Sequence, residues 1–167
     1  MKRRITALAA LAVLTGLWAG MVSAESARLE ANKQRISIEV KAPLNNGRGS
    51  FILHDLTAGR LKVDFGSITS TKGPTPVFLG EILHGQRVDR FRGTDTLRGR
   101  HGTLVISLRV DFVSAGNGWQ IGNGTWSIVS GTGAYAGQTG GGRSAFVRPP
   151  PPGRFGFAEH DGYVSAR

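Results

Sequence analysis

The sequence contains no cysteine, and only 8% of its 167 residues are aromatic. The absence of cysteine excludes disulfide bonds, thiol catalysis and metal sites with cysteine ligands. Beyond the N-terminal segment, no stretch shows the apolar spacing of three and four residues that is typical of an amphipathic helix. Stability therefore has to come from packing and backbone pairing, in a fold that is built from strands.

The N-terminus has the three parts of a secretory signal peptide. Lys2-Arg3-Arg4 supplies the positive charge, an apolar run follows, and Val22-Ser23-Ala24 supplies the small residues before a cleavage site. The apolar run is shorter than the roughly 20 residues of a membrane span. We therefore predict Sec-type cleavage near Ala24, a single β-barrel domain over residues 25–167, no membrane span after cleavage, and a secreted or periplasmic location.

Acidic residues are few, since the chain has 11 Asp and Glu against 21 Lys and Arg. Three of the basic residues and none of the acidic ones lie in the predicted signal peptide, which leaves 18 against 11 and a net charge of +7 on the mature chain. Such a charge favours solubility and also attracts anionic surfaces such as lipopolysaccharide, polysaccharide or nucleic acid. Net charge alone does not distinguish between these partners.

Glycine is abundant: 25 of the 167 residues are glycine, about twice the usual share of ~7%. Between glycine-containing turns, apolar and polar residues alternate with the period of two that is typical of half-buried strands. The clearest case is LVISLRVDFV at 104–113, whose apolar face consists of Leu104, Ile106, Leu108, Val110 and Phe112. Many short strands, without helices for parallel crossovers, predict an all-β antiparallel barrel or sandwich.

The stretch WSIVSGTGAYAGQTGGGR at 126–143 contains Gly131-Thr132-Gly133 and Ala136, which fit the dinucleotide-binding pattern G-x-G-x-x-A. That pattern requires a helix after the glycines and an acidic residue about 20 positions later. The residues that follow contain too many glycines for a helix, and the next acids, Glu159 and Asp161, come too late. We therefore interpret the glycines as backbone devices at turns and at tight bends of a small barrel.

The longer stretch GNGTWSIVSGTGAYAGQTGGGR at 122–143 resembles a segment of exported bacterial proteins of the allene oxide cyclase and dirigent barrel type. The upstream stretch RFRGTDTLRGRHGTLVI, Arg90 to Ile106, also resembles a recurring segment of that superfamily. The resemblance implies a calycin-like or allene oxide cyclase barrel of eight antiparallel strands with an apolar lumen, often trimeric among plant members. It further implies that the barrel acts on, or orients, small hydrophobic molecules. The superfamily's functional residues do not align here, so the resemblance assigns none.

An isomerase or cyclase of this kind would need a carboxylate inside the barrel. The acids that could supply it are Asp64, Glu81, Asp89, Asp95 and Asp111. Alternation places Asp111 on the outer face of its strand. Glu81 lies in the apolar segment VFLGEIL and shares a strand face with Leu79 and Leu83, so it is the candidate catalytic residue, although a bulge at this point would turn it outward.

Two sets of residues are candidates for binding. The aromatic residues of the glycine-rich region are candidates for a ligand wall, with core packing as the alternative: Trp119, Trp126 and Tyr135. The densest basic run is a candidate anionic-surface site, with a solvated exterior as the alternative: Arg87, Arg90, Arg92, Arg98 and Arg100. Acids interrupt this run and no aromatic platform accompanies it, so we predict no specific nucleic-acid partner.

Three functions stay open. The first is a secreted barrel without a catalytic motif that binds a small hydrophobic ligand in its lumen, between the apolar face of 104–112, Trp126, Phe155 and Phe157. The second is a cyclase or isomerase that uses a lumen carboxylate, and the third is an envelope protein that binds an anionic polymer through an arginine-rich face. We predict no metal and no cofactor, and a homo-oligomer is compatible with all three. A barrel of this size can also be filled by its own side chains.

Overall fold

The computed structural model describes residues 33–43, 48–57, 63–72, 77–83, 86–153 and 155–165; for 43, 63, 72, 77–83 and 86–87 it describes the backbone alone. The compact unit that carries the fold is Gln34–Arg167. The predicted signal peptide, residues 1–24, and the cleavage site near Ala24 lie outside the described residues. In the described part of the chain, no helix has the length and apolar character that a membrane span requires.

The described residues form nine strands and a single-turn 3-10 helix at Gly133–Tyr135. The strands are β1 Lys33–Pro43, β2 Gly49–Asp55, β3 Val63–Lys72, β4 Val77–Leu83, β5 Gln86–Gly99, β6 Thr103–Gly116, β7 Trp119–Gly131, β8 Gly140–Arg148 and β9 Phe155–Ser165. They follow the order β3-β2-β1-β9-β8-β7-β6-β5-β4, and β3 also pairs with β5. Eight antiparallel strands therefore close into a barrel-like ring, which confirms the predicted fold class.

The ninth strand, β4, continues the line of β3 along one side of β5. Lys72 of β3 lies opposite Gly93 of β5, and Val77 of β4 lies opposite Arg90. The first half of β5 therefore pairs with β4, and its second half pairs with β3. The other side of β5 pairs with β6 from Val88 to Arg98. Because β5 pairs with neighbouring strands along both edges, β5 and β6 give a stable backbone to the side chains that point outward from them.

Side chains alternate between the lumen and the outer surface along β6. The five residues of the predicted apolar face are all buried, whereas Arg109 between them is exposed. They join Ile38, Ile68 and Leu97 from other walls of the ring in one contiguous core cluster. Burial of each such side chain contributes roughly 1.5–3 kcal/mol. Apolar packing across the lumen is therefore a main source of the stability of this cysteine-free fold.

Strand β7 runs unbroken through a segment where the pattern predicts two separate strands, Trp119–Ile121 and Trp126–Val129. The glycines between them bring two strands close together. A Cβ at Gly124 would lie 2.1 Å from the carbonyl oxygen of Arg109 on β6. Only glycine allows this approach, so the glycines that suggest a break in the strand instead allow it to bend around the barrel.

The motif that fits the dinucleotide pattern forms the connection from β7 to β8. Gly133 adopts a φ of +59°, which favours glycine. A Cβ at Gly131 would lie 2.2 Å from the carbonyl oxygen of Tyr135. After one 3-10 turn the chain enters β8, without the long helix that a phosphate-binding loop needs. The interpretation of these glycines as backbone devices is confirmed.

One part of the predicted lumen wall is wrong. Phe155 and Phe157 are 38% and 53% exposed, because they occupy the outward positions of β9. The alternate positions of this strand include Gly156 and His160, which are buried. The two phenylalanines therefore belong to the outer surface. The sequence pattern does not distinguish the two cases, because an exposed apolar residue follows the same period of two as a buried one.

Candidate functional site

The outer wall of β5 and β6 places two arginines side by side. The turn between these strands, Gly99–Gly102, is closed by a hydrogen bond from the Gly99 N–H to the Gly102 carbonyl oxygen (2.9 Å). The turn sets a register in which Arg92 lies directly opposite Arg109. Both side chains are exposed and lie on the outer face. The register of this hairpin, rather than proximity in sequence, brings the two guanidinium groups together.

The next hairpin adds hydroxyl groups to the same wall. Asn117 and Gly118 have φ values of +49° and +78°, and Asn-Gly is the preferred pair for such two-residue turns. The resulting register of β6 and β7 places Ser107 opposite Ser127, and their Oγ atoms lie 2.9 Å apart. Thr94 of β5 lies opposite Ser107 on its other side. A row of short hydroxyl side chains thus runs beside the two arginines.

The arginines and hydroxyls surround a surface depression with a volume of about 450 Å³, which we name the arginine groove. Its lining consists of Arg92, Gly93, Thr94, Ser107, Leu108, Arg109, Thr125, Trp126 and Ser127. The hydroxyl side chains of Thr94, Ser107, Thr125 and Ser127 lie beside the two arginines in this lining. The lining contains only positive charges, together with hydroxyl groups that can accept or donate hydrogen bonds.

The electrostatics of the groove are unbalanced. In the described structure neither Arg92 nor Arg109 forms an ion pair or a side-chain hydrogen bond, although Arg109 also attracts the carboxylate of Asp111, two residues along β6. Arg90, one step along β5, instead holds Asp111 through two hydrogen bonds of 2.6 and 2.7 Å, and this contact lowers the pKa of Asp111. Like charges directly opposite each other destabilise a strand pair; at about 5 Å in water the repulsion is about 1 kcal/mol. An anion between the two arginines would remove this cost.

The predicted basic run is divided by the structure. Arg90 and Arg92 share one face of β5, as alternation predicts, but Val88 at the same parity is buried and only Arg92 lines the groove. Arg98 donates to the Thr69 hydroxyl (3.0 Å), and the Arg100 guanidinium lies 5.0 Å from the ring centre of Phe65. The side chain of Arg87 lies outside the described residues. The five arginines therefore do not form one surface.

The three aromatic candidates also separate. Trp119 is 43% exposed at the β6–β7 turn, whereas Trp126 is buried in the core cluster and donates from Nε1 to the carbonyl oxygen of Asp161 (3.1 Å). Tyr135 is buried at the opposite end of the ring, in the β7–β8 connection. The structure does not bring them together as one ligand wall, and Trp126 and Tyr135 pack in the core.

Tyr135 closes its end of the ring through Asp64. The Tyr135 hydroxyl donates to Asp64 Oδ2 (2.5 Å), and the N–H groups of Phe65, Arg100 and His101 donate to the same carboxylate at 2.9, 2.9 and 3.4 Å. Burial alone would raise the pKa of Asp64, but these hydrogen bonds outweigh it and lower the pKa. The charged carboxylate of Asp64 therefore links β3 to the β5–β6 turn and to the β7–β8 connection through hydrogen bonds.

A histidine lies inside the lumen. His160 is fully buried, and its Nδ1 lies 2.8 Å from the Ser144 hydroxyl, while its Nε2 has no partner. The ring of Phe146 packs edge-on against it, with ring centres 5.4 Å apart. Burial lowers the pKa of His160 to about 4, so the imidazole is neutral at physiological pH. The sequence offers no signal for this site beyond the position of His160 on the inward face of β9.

Of the candidate carboxylates whose side chains are described, Asp64 and Asp95 are both buried, and Asp95 is the one whose pKa is raised. It is 5% exposed and lies opposite Ile106; burial raises its pKa to about 6, against a smaller opposing effect of the Ser70 hydroxyl. Asp111 points outward, as predicted. The register of β4 shifts between Phe78 and Ile82, around the candidate Glu81, whose side chain lies outside the described residues.

Two arginines of the outer wall were missed in the sequence. Arg109 and Arg143 occupy one cross-strand row with Arg92, because Arg109 pairs with Thr125 and Thr125 pairs with Arg143. Arg109 is the only basic residue of β6, and four residues separate Arg143 from Arg148 in β8, so no basic run marks either of them. The register of the hairpins is the signal that could have found them. Within the described residues, no three histidine or acidic side chains gather as a metal site.

Comparison with known proteins identifies no relative of this chain. No protein-family model, curated protein or solved structure matches the chain. Its function has to be argued from the groove, the lumen and the outer surface.

Proposed function

We propose that the protein is an exported binding protein that holds an anionic ligand in the arginine groove. The observation that supports this proposal is the pair Arg92 and Arg109, which lie directly opposite each other without an ion pair, beside a row of hydroxyl side chains. The predicted signal peptide supports export. The third hypothesis from the sequence, an envelope protein that binds an anionic polymer, thus has the best geometric support, with Arg92 and Arg109 as its centre.

The groove fits an anionic polysaccharide by its chemistry. Arginine forks match the geometry of carboxylate, sulfate and phosphate groups. The hydroxyls of Thr94, Ser107 and Ser127 suit the neutral hydroxyl groups of a sugar. Arg143 lies two strands from Arg109 in the same row, roughly 10 Å away at the usual strand spacing. Asp161 of β9 lies directly opposite Arg143, so Arg143 has an acidic neighbour that neither groove arginine has directly opposite it.

The groove is suited to binding rather than catalysis. Its lining contains no histidine, aspartate or glutamate, so it holds no general acid or base of ordinary strength. Arginine stays protonated and can stabilise an anion but does not transfer protons at neutral pH. The groove is also an open depression on the outer surface, so a polymer could reach it.

Removal of either groove arginine should weaken this binding. We expect Arg92→Ala and Arg109→Ala each to reduce the affinity for a sulfated or uronate oligosaccharide about tenfold or more, because each guanidinium contributes a charge-assisted hydrogen bond of about 1.5–3 kcal/mol. Titration calorimetry at two salt concentrations would measure the loss and the expected weakening by salt. We also expect Arg92→Ala to leave the melting temperature unchanged or slightly higher, because it relieves the repulsion.

Arg98→Ala is the matched control, since Arg98 is an exposed arginine on the same strand but outside the groove. It should retain most of the affinity. Equal losses in all three variants would mean that general positive charge, rather than the groove, attracts the ligand. Absence of binding to any anionic oligosaccharide at low salt would remove the proposal.

The lumen supports a second candidate function, the binding of a small hydrophobic molecule. The unpartnered Nε2 of His160 and the carboxyl of Asp95 are polar groups in an interior that is mostly apolar and also contains the Ser144 hydroxyl. A ligand with one hydrogen-bonding group, a donor or an acceptor according to the tautomer of His160, would satisfy the imidazole. In the cyclase alternative, Asp95 rather than Glu81 would be the carboxylate to test. Native mass spectrometry of the purified protein tests both forms: a reproducible added mass per chain supports them, and a bare mass favours a lumen filled by side chains.

A further inference from the structure

A row of exposed side chains leads along the outer face of β7 from the arginine groove to the β6–β7 turn. Thr125 and Ser127 belong to the lining of the groove. At the same two-residue spacing the row continues through Asn123 and Ile121 to Trp119, and all of these residues are exposed. Because every second side chain of a strand points to the same face, the row is continuous with the groove. We name Asn123, Ile121 and Trp119 the β7 track.

Trp119 places a large aromatic surface at the far end of the track. Its exposed fraction is 43%. The turn before it lies against the β8–β9 connection, since a Cβ at Gly118 would lie 2.7 Å from the Cβ of Pro150. This contact holds the backbone that carries the indole. An indole has a flat apolar face and one N–H donor, and it therefore suits a sugar ring, which presents C–H groups on its faces and hydroxyl groups around its edge.

The side chains beside the track are small or apolar, with one acid among them. Asn123 lies between Asp111 of β6 and Ala145 of β8, and Ile121 lies between a valine of each strand. Asp111 is the only acid of β6, β7 and β8, and the Arg90 guanidinium holds its carboxylate through hydrogen bonds of 2.6 and 2.7 Å. A chain with widely spaced negative charges can therefore lie along the track.

The distance along the strand determines the size of the ligand. Trp119 lies six positions before Thr125, which corresponds to about 20 Å at the rise of a β-strand. A free phosphate ion or a disaccharide in the groove is too short to reach the indole, whereas an extended oligosaccharide is long enough. From the continuous row, the exposed indole and this distance, and on the basis of the proposed function, we infer that the polysaccharide of the arginine groove extends along the β7 track and stacks one of its sugar rings on Trp119.

The charge pattern favours a polysaccharide over a single-stranded nucleic acid. A nucleic acid carries a phosphate on every nucleotide, and proteins that bind it follow its backbone with basic side chains. The β7 track contains no basic residue. Between the groove and Trp119 it offers the amide of Asn123 and the aliphatic side chain of Ile121, which suit uncharged sugars that alternate with charged ones.

Trp119→Ala should weaken the binding of a long oligosaccharide and leave the binding of a short one unchanged. The probes are the hexasaccharide and the disaccharide of hyaluronan, in which uncharged and carboxylate-bearing sugars alternate. We expect the wild type to bind the hexasaccharide more tightly than the disaccharide, and Trp119→Ala to bind the hexasaccharide about tenfold more weakly than the wild type, as for the loss of a ring stacked on an aromatic side chain. Titration calorimetry would measure both affinities. Salt should weaken binding in both proteins without changing the ratio between them, because the stacking contact is uncharged.

Two variants and a spectroscopic signal serve as controls. Val129→Ala is the matched variant, because Val129 is 59% exposed on the same face of β7 but lies beyond the groove residues on the other side. It should bind both probes like the wild type, and Trp119→Tyr, which keeps an aromatic ring, should recover most of the hexasaccharide affinity. Trp119 and Trp126 are the only tryptophans after residue 24. The hexasaccharide should therefore shift the fluorescence of the exposed Trp119 to shorter wavelength, and Trp119→Ala should lose this shift.

Equal affinity of the wild type for the two probes, or an unchanged hexasaccharide affinity in Trp119→Ala, would overturn the inference and leave the proposed function of the groove intact. Absence of binding of both hyaluronan probes would also overturn it, and binding of a sulfated disaccharide under the same conditions would then show whether the groove still binds anions. A single-stranded oligonucleotide that binds more tightly than the hexasaccharide, and that loses affinity in Trp119→Ala, would identify nucleic acid as the occupant instead.

Discussion

Replacement of Asp64 by alanine is expected to lower the free energy of unfolding by about 4 kcal/mol. Hydrogen bonds to a charged group contribute about 1.5–3 kcal/mol each, and Asp64 accepts one from Tyr135 and three from backbone N–H groups. The variant leaves these donors without their acceptor at the closed end of the ring, where water replaces only part of the loss. Urea unfolding at pH 7, followed by tryptophan fluorescence, would measure it.

Two control variants distinguish the loss of the hydrogen bonds to Asp64 from a general loss of negative charge. Tyr135→Phe removes a single donor and should cost about 1.5–3 kcal/mol. Asp161→Ala, on the outer face of β9, removes an acid whose side chain makes no hydrogen bond in the described structure, and it should change stability little. Because the pKa of Asp64 is lowered in the folded state, its contribution is present above the ordinary pKa of 3.8 and is lost as the pH falls further. An equal effect of Asp64→Ala and Asp161→Ala would contradict this account.

Replacement of Asp95 by asparagine is expected to stabilise the protein at pH 7 by about 2–3 kcal/mol. Burial raises the pKa of Asp95 from 3.8 to about 6, and each pKa unit corresponds to about 1.4 kcal/mol. The folded state therefore holds a proton more tightly than the unfolded state, so that stability is highest at low pH and decreases as the pH rises through about 6. Asparagine keeps the shape and a hydrogen-bonding partner for Ser70 but carries no charge, so the variant should gain at pH 7 and little at pH 4.

His160 has the opposite pH dependence. Burial lowers its pKa from 6.5 to about 4, so the unfolded state binds the proton more tightly. Its effect on stability is therefore unfavourable as the pH falls from about 6.5 to about 4. Between pH 4.5 and 6 the effects of Asp95 and His160 oppose each other. The wild type should then show a nearly flat stability profile in that range, although it contains two strongly shifted groups.

Single variants should reveal the two opposing slopes. With Asp95→Asn, only the histidine effect is left, and stability should fall on acidification; with His160→Gln, it should rise. The stability of the double variant should again change little with pH, at a different absolute value. Urea midpoints measured at half-unit steps from pH 4.5 to 7.5 give all four profiles. A flat profile in both single variants would show that neither group is shifted as described.

The sequence predicts the strands of this fold better than their lengths. Alternation identifies the inward face of β6 residue by residue, because its inward positions are all apolar and its outward positions include Ser107, Arg109 and Asp111. It fails on β9, where the lumen receives a glycine, an alanine and a histidine while Phe155 and Phe157 face solvent. The period of two specifies which residues share a face, but it does not specify which face is inside.

The candidate site required information that a single strand does not contain. Arg92 was predicted as part of a basic run, yet its partner Arg109 lies 17 positions later and meets it only through the register of a hairpin. The same is true of the burial of Asp95, which depends on Ile106 and Ser70 from two other strands. Cross-strand pairs of this kind follow from turn geometry, and a four-residue turn such as Gly99–Gly102 allows more than one register.

The closed ring has a consequence for how the chain reaches its native state. In the strand order β1 neighbours β9, so the first and last strands of the fold must meet before the ring is complete. Pairing between such distant segments is slow, because the entropy of the long intervening loop is lost before contacts compensate for it. The lumen cannot form until Phe155–Ser165 has left the ribosome. A nascent chain of this protein therefore cannot complete its ring before the last strand has been synthesised.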